Sequence, residues 1–243
     1  MSAAINMSNN GSTGANDLEH RQGSFFGRRK GHKLRAHRAE LIAHLLPRLA
    51  LDIKAPTAAP LDLFDPKVSD LRLEIGFGGG EHLAAEARAF PTTGFIGCEP
   101  YVNGMAKVLA QIEAHDIHNI RLFAGDAAEL LAWLPPQSLS RIDLIHPDPW
   151  PKRRHWKRRF VQEATIAAMA RVLKRGGEFR FVSDIDTYCD WTLWHLLRSP
   201  DFVWTAERAD DWRMPWPGYT MTRYGQKATR EGRVASYLCF RRT

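Results

Sequence analysis

Between residues 68 and 198, short apolar runs alternate with segments of helical periodicity, and this alternation constrains the fold more than any other feature of the chain. Strands are predicted over 71–75, 94–98, 120–124, 141–145 and 178–183. Helices are predicted over about 80–90, 103–115, 127–134, 159–174 and 187–198. Strands that alternate with helices form a mostly parallel sheet covered on both faces. Gly176 and Gly177 are expected to end the fourth of these helices and open the fifth strand. A strand near 202–206, an irregular Trp/Pro stretch at 210–219 and a final strand near 234–241 bring the sheet to seven strands. The predicted class is α/β, with a doubly wound, Rossmann-like architecture.

The segment before this domain reads differently. Residues 1–20 are polar, rich in Asn, Ser and Gly, and are expected to form a disordered tail. They lack the apolar core of a secretory signal, so a cytoplasmic protein is expected. Residues 21–66 hold a basic arm with Phe25 and Phe26, then a helix from about Arg35 with Leu41, Ile42, Leu45, Leu46 and Leu49 at helical spacing. Pro47 should bend or end that helix, and Pro56, Pro60 and Pro66 mark a loop into the main domain, 67–243. No apolar run approaches the roughly 20 residues that span a bilayer, so no membrane association is expected. Cys98, Cys189 and Cys239 lie too far apart for a disulfide framework or a zinc ribbon. The ten histidines show no metal-ligand spacing, so no metal is expected, and no pattern signals an oligomeric state.

The charge is distributed in blocks. Residues 21–38, 152–159 and 223–242 hold nineteen Lys and Arg against one acid, Glu231, a net of +18. The chain as a whole carries +7, which leaves −11 on the rest. An acidic body with three basic segments attracts phosphate locally without a uniformly sticky surface, so nucleic acid is the leading partner.

Leu73-Glu74-Ile75-Gly76-Phe77-Gly78-Gly79-Gly80 falls between a strand and a helix, where glycines permit a tight turn and close approach of backbone N–H groups to a ligand. Glu99 follows the next strand, nineteen residues past Gly80, where a carboxylate can accept hydrogen bonds from both ribose hydroxyls of an adenosine. Asp126 ends the third strand, in reach of an adenine amino group. Glu74 is expected inside the site, where it would repel a pyrophosphate and welcome a cationic sulfonium. These acids favour S-adenosylmethionine over NAD. The alternative for Glu99 and Asp126 is plain helix N-capping.

After the fourth strand comes His146-Pro147-Asp148-Pro149-Trp150-Pro151, followed by the run 152–159. Prolines on both sides fix Asp148 in an extended conformation at the sheet's carboxyl edge. A carboxylate so placed can accept from the two donors on the Watson–Crick edge of guanine. Trp150 either stacks on a base or fills the space beneath the loop. The basic run supplies phosphate contacts, which position but do not specify.

In these blocks the chain resembles the bacterial tRNA (guanine-N7)-methyltransferases over roughly residues 25–242. The likeness rests on residues 73–78, on Pro147-Asp148-Pro149-Trp150 with Lys152, on His155 and Lys157-Arg158-Arg159, on Ser183-Asp184, and on Thr222-Arg223-Tyr224. The resemblance implies a class I S-adenosylmethionine-dependent methyltransferase fold and methylation of guanine N7 in the tRNA variable loop, at nucleotide 46. It implies cofactor contacts at Glu74, Gly76, Gly78, Glu99, Asp126 and Asp148, with Asp148 also catalytic. Substrate contacts are implied at Lys152, Asp184, Thr222, Arg223, Tyr224 and Gly225, and RNA contacts at Arg154, His155, Trp156, Lys157, Arg158 and Arg159. Two positions depart from the family pattern. Gly225 stands where the family has Glu, and His146 where it tends to have Phe.

Three rival readings remain open at this point. An amino-group methyltransferase would have a superficially similar Pro-rich loop, an RNA-binding module would need no cofactor acids, and an NAD-linked oxidoreductase is disfavoured by Glu74.

Overall fold

The computed structural model describes Gly27, residues 29–54 and residues 59–243. The expected tail over 1–20, together with Arg21, Phe25, Phe26, Arg28 and Pro56, lies outside the described residues.

Seven strands form one sheet: β1 (Asp70–Ile75), β2 (Thr93–Cys98), β3 (Ile120–Phe123), β4 (Leu139–Ile145), β5 (Leu173–Ser183), β6 (Phe202–Trp204) and β7 (Ser236–Arg242). Their order is β3-β2-β1-β4-β5-β7-β6, with β1 to β5 parallel and β7 antiparallel to both of its neighbours. The order reverses between β1 and β4, which opens a crevice at their carboxyl ends.

Nine α-helices are described: α1 (Ala36–His44), α2 (Leu46–Leu49), α3 (Glu81–Ala89), α4 (Val102–Ala114), α5 (Ala127–Trp133), α6 (Glu163–Val172), α7 (Asp186–Leu196), α8 (Asp210–Arg213) and α9 (Arg223–Arg230). Side chains from α1 to α4 fill one core cluster and those from α5 to α7 the other, so the central strands are buried on both faces. Leu71, Leu73, Ile96, Ile142 and Phe181 are fully enclosed. Each such burial contributes roughly 1.5–3 kcal/mol.

The N-terminal helix breaks between Leu45 and Leu46, with Pro47 in the first turn of α2, where a missing N–H costs nothing. Just beyond, Leu51 N donates to Leu122 O at 2.8 Å and covers part of the β3 edge. Among the described residues, no helix is long and apolar enough to cross a membrane.

Besides the short helix α8 within the stretch expected to be irregular, three differences bear on the site. First, the helix predicted from 159 begins only at Glu163, because Gln162 and Thr165 form a reciprocal capping box. Residues Arg153–Arg158 form a 3-10 helix instead. Second, Gly176 and Gly177 do not end that helix; they lie within β5, in a bulge where the β4–β5 register shifts between Leu139 and Arg141. Third, α9 occupies a stretch with no predicted helix. Thr222 caps it, and only Gly225 and Ala228 are buried, so it offers no apolar periodicity to read.

Candidate active site

The carboxyl ends of β1 to β5 converge on a cavity of about 700 Å3. Its wall takes Gly76 and Gly78 after β1, Glu99 after β2, Asp126 after β3, Asp148 after β4 and Asp184 after β5. Tyr224 and Lys227 close it from α9.

In the glycine loop, Gly76, Gly78 and Gly80 have φ of 69°, 57° and 76°, a region that L side chains rarely adopt. Gly78 N donates to Glu99 Oε2 at 2.9 Å, and Tyr101 N donates to Glu99 Oε1 at 2.9 Å. One carboxylate thus ties the loop to the next strand end. Burial pushes the Glu99 carboxyl above its usual range, against the pull of those two N–H groups. Asp126 Oδ1 accepts from Ala128 N at 2.9 Å as the N-cap of α5. The capping role and the place on the cavity wall coexist, since the cap engages one of its two oxygens.

Glu74 is not brought to the wall. Strand alternation turns its side chain to the face covered by α3, where Oε2 meets His82 Nδ1 at 2.8 Å. Both groups are buried.

The loop after β4 is tightly specified. His146 and Trp150, with φ of 48° and 44°, bracket Pro147-Asp148-Pro149. Non-glycine residues in this region cost roughly 1–3 kcal/mol each and persist only where the surroundings over-determine them. Here His146 N donates to Val182 O at 2.8 Å and its Nδ1 lies 3.2 Å from Asp184 Oδ1. Burial holds His146 below the usual imidazole range, against the pull of the Asp184 carboxylate beside it. Asp148 itself is exposed to the cavity, and partial desolvation alone pushes its carboxyl up. Trp150 also lines the cavity, with the Arg158 guanidinium 5.0 Å from its ring centroid, so it is not a core residue.

Asp184 is engaged on both oxygens, by His146 and by Arg233 Nε at 2.6 Å. Burial raises its carboxyl, but these partners outweigh that and hold it below the usual carboxylate range. It does not cap α7, whose N-cap is Ile185 with no side-chain bond.

At α9, Thr222 Oγ1 accepts from Gly225 N at 3.2 Å. Tyr224 reaches over the glycine loop: its Cε2 is 3.7 Å from where a Cβ on Gly78 would lie. Arg223 points into solvent, away from the cavity.

A family described as "Putative methyltransferase" matches residues 69–238. A tRNA (guanine-N(7)-)-methyltransferase of Bradyrhizobium diazoefficiens is 77% identical over 229 residues, 93% of this chain and 97% of the relative. One of Nitrobacter hamburgensis is 70% identical over 248 residues, covering 100% of this chain and 97% of the relative.

The chain belongs to the tRNA (guanine-N(7)-)-methyltransferase family.

The resemblance read from the motifs is borne out, and so is the fold class. The 16S rRNA methyltransferase KamB, 14% identical, superposes with a TM-score of 0.51 over 78% of this chain and 95% of its own, and shares the fold.

For a member of this family, the six cations after the Pro-Asp-Pro-Trp loop are unequal. Lys152, Arg153, Arg154 and Lys157 are exposed, whereas Arg158 is half-buried, like the intervening His155 and Trp156. Arg159 is only 2% exposed, at the inner wall of the cavity, and differs in this from its solvated neighbours. The described part of the basic arm is already docked. Val102 N donates to Arg29 O at 3.0 Å, Gly31 N to Asn103 Oδ1 at 2.8 Å, and Asn103 Nδ2 to His32 O at 2.8 Å. Gly27 completes the cavity rim.

Sequence reasoning missed Lys227, Arg233 and Tyr101. Lys227 follows Tyr224 by three residues, a helical spacing invisible until α9 is known. Among the described residues, no three His, Cys, Asp or Glu side chains gather as a metal site.

Proposed function

We propose that the chain transfers a methyl group from S-adenosylmethionine to N7 of a guanine in the variable loop of tRNA, at nucleotide 46. The observation that carries this reading is Asp148, a carboxylate fixed between two prolines and aimed into an acid-walled cavity beside the glycine loop. The residues present fit the cofactor. Left-handed glycines let backbone N–H groups approach a ligand, and Glu99 and Asp126 offer acceptors for ribose hydroxyls and an adenine amine. The negative wall suits a cation. When bound, S-adenosylmethionine supplies an electrophilic methyl group on a sulfonium.

Guanine N7 carries an in-plane lone pair and needs no deprotonation before attack. The protein's task is therefore orientation and charge stabilisation, not proton removal. Asp148 accepts hydrogen bonds from the guanine edge and offsets the positive charge that grows on the ring. It has this freedom because no ionic partner among the described residues competes for it. Asp184, held by His146 and Arg233, forms a fixed wall of the base site. Tyr224 and Lys227 close the site against water, with Thr222 setting the start of their helix. Lys152 and Arg154 outside the cavity, and Lys157 at its wall, meet backbone phosphates, and the arm over 29–33 extends that basic surface from α4.

Incubation with methyl-labelled S-adenosylmethionine and unmodified tRNA, followed by nucleoside analysis and aniline cleavage, tests this. N7-methylguanosine with a single cleavage at nucleotide 46 is the expected outcome. A methyl on an exocyclic amine, or cleavage outside the variable loop, refutes it.

A further inference from the structure

Arg159 ends the basic run but does not share its environment. Its guanidinium is buried, and among the described residues no carboxylate pairs with it. A buried cation is costly unless its N–H groups are satisfied. Here Nε donates to Pro149 O at 3.0 Å, Nη1 to Thr187 O at 2.7 Å and Nη2 to Thr187 Oγ1 at 3.2 Å. Three rings enclose the plane, with centroids 4.5 Å (Trp156), 4.8 Å (Tyr188) and 5.5 Å (Trp191) from Cζ. The cage is itself fixed: Trp191 Nε1 donates to Val161 O at 2.7 Å, and Tyr188 Oη accepts from Phe160 N at 3.0 Å.

The two carbonyls it holds belong to different elements. Pro149 directly follows Asp148, and Thr187 lies in the first turn of α7, three residues after Asp184. One rigid, planar fork therefore spans the two segments that carry the acids facing the base site. We propose that Arg159 is a positioning residue for methyl transfer, which sets Asp148 against Asp184, and not an RNA contact. A lysine keeps the charge but cannot reach both carbonyls in fixed geometry. This rests on the methyl-transfer reading above.

The test compares Arg159→Lys, Thr187→Val and Arg154→Ala with the wild-type protein. It measures single-turnover methylation at saturating tRNA and cofactor, calorimetric affinity for S-adenosylmethionine, and the salt dependence of tRNA binding. Displacing a reacting group by an ångström costs about a hundredfold in rate, so Arg159→Lys should lose about that much. Its cofactor affinity and salt slope should stay unchanged. Thr187→Val, which removes a single acceptor, should lose rate in the same step by a smaller factor. Arg154→Ala should instead lower the salt slope by about one and weaken tRNA binding. Wild-type rates in Thr187→Val and Arg159→Lys overturn the role of Arg159. If Arg159→Lys fails to fold, a wild-type rate in Thr187→Val alone overturns it. A wild-type protein that methylates no guanine refutes the functional reading instead.

Discussion

His146 Nε2 lies 3.2 Å from the point that a Cβ on Gly225 would occupy. The two positions that the sequence reading sets apart from the resemblance are therefore packed against each other. The imidazole takes space that a side chain at 225 would need, while its other nitrogen is held by Asp184 and cannot easily yield. Met221 Cγ, 3.1 Å from the same point, closes the other side.

Overpacking of this kind costs about 1–3 kcal/mol, so Gly225→Ala should be destabilised by an amount in that range. In combination with His146→Ala the penalty should shrink, with a coupling of about 0.5 kcal/mol or more in a urea-unfolding double-mutant cycle. Strict additivity would show that the two residues do not compete for space.

Asp148→Asn keeps the shape of the loop and removes the charge. Turnover should fall by about 10²–10³-fold, the range for loss of one group that stabilises transition-state charge, while cofactor affinity stays near wild type. Near-normal turnover would falsify the electrostatic role.

The pH dependence follows from the same residue. Desolvation raises the Asp148 carboxyl above its ordinary value, so the active carboxylate is lost earlier on acidification than it would be for an exposed aspartate. The acid limb of kcat/KM should have its midpoint above about 3.9, the value for a free Asp. Asp148→Asn should lack that limb.

The buried pair of Glu74 and His82 makes a separate contribution to stability. Burial alone would lower His82, but Glu74 at 2.8 Å holds it above the usual imidazole value. A raised folded-state pKa stabilises fully below the unfolded value near 6.5 and loses that contribution as pH rises through the folded value. Thermal midpoints should therefore decline on going alkaline from about pH 6.5, and His82→Gln should flatten this decline. Parallel curves for the two proteins would rule the pair out as its cause.

Asn103 ties the arm to α4 through bonds to Gly31 and His32. Asn103→Ala should release it, seen as faster tryptic cleavage at Arg29 and Lys30 and weaker tRNA binding with unchanged cofactor affinity. Equal cleavage rates would mean that the arm is held by other contacts.

Local sequence signals located most of the architecture. The five βα units, the glycine loop, the spacing to Glu99 and the Pro-Asp-Pro-Trp block all read correctly, because periodicity, glycine conformation and proline restriction act within a few residues. The start of α6 was misplaced because its capping box pairs Gln162 with Thr165, residue types outside the usual Ser/Thr-to-Glu pattern. Helix α9 stayed hidden because its buried face is only Gly225 and Ala228.

By itself, then, the sequence determined the order of elements, the acids at four strand ends and the presence of a rigid aspartate loop. Tertiary structure alone decided which of the like-charged neighbours does what. Arg154 and Arg159 are chemically identical five residues apart, yet one is solvated and the other is caged, because its acceptor on Thr187 arrives from 28 residues along the chain. Glu74 likewise reads as a site acid but is turned under the sheet to His82. Residue type sets which bonds a group can make; only the folded chain sets which partners come within reach.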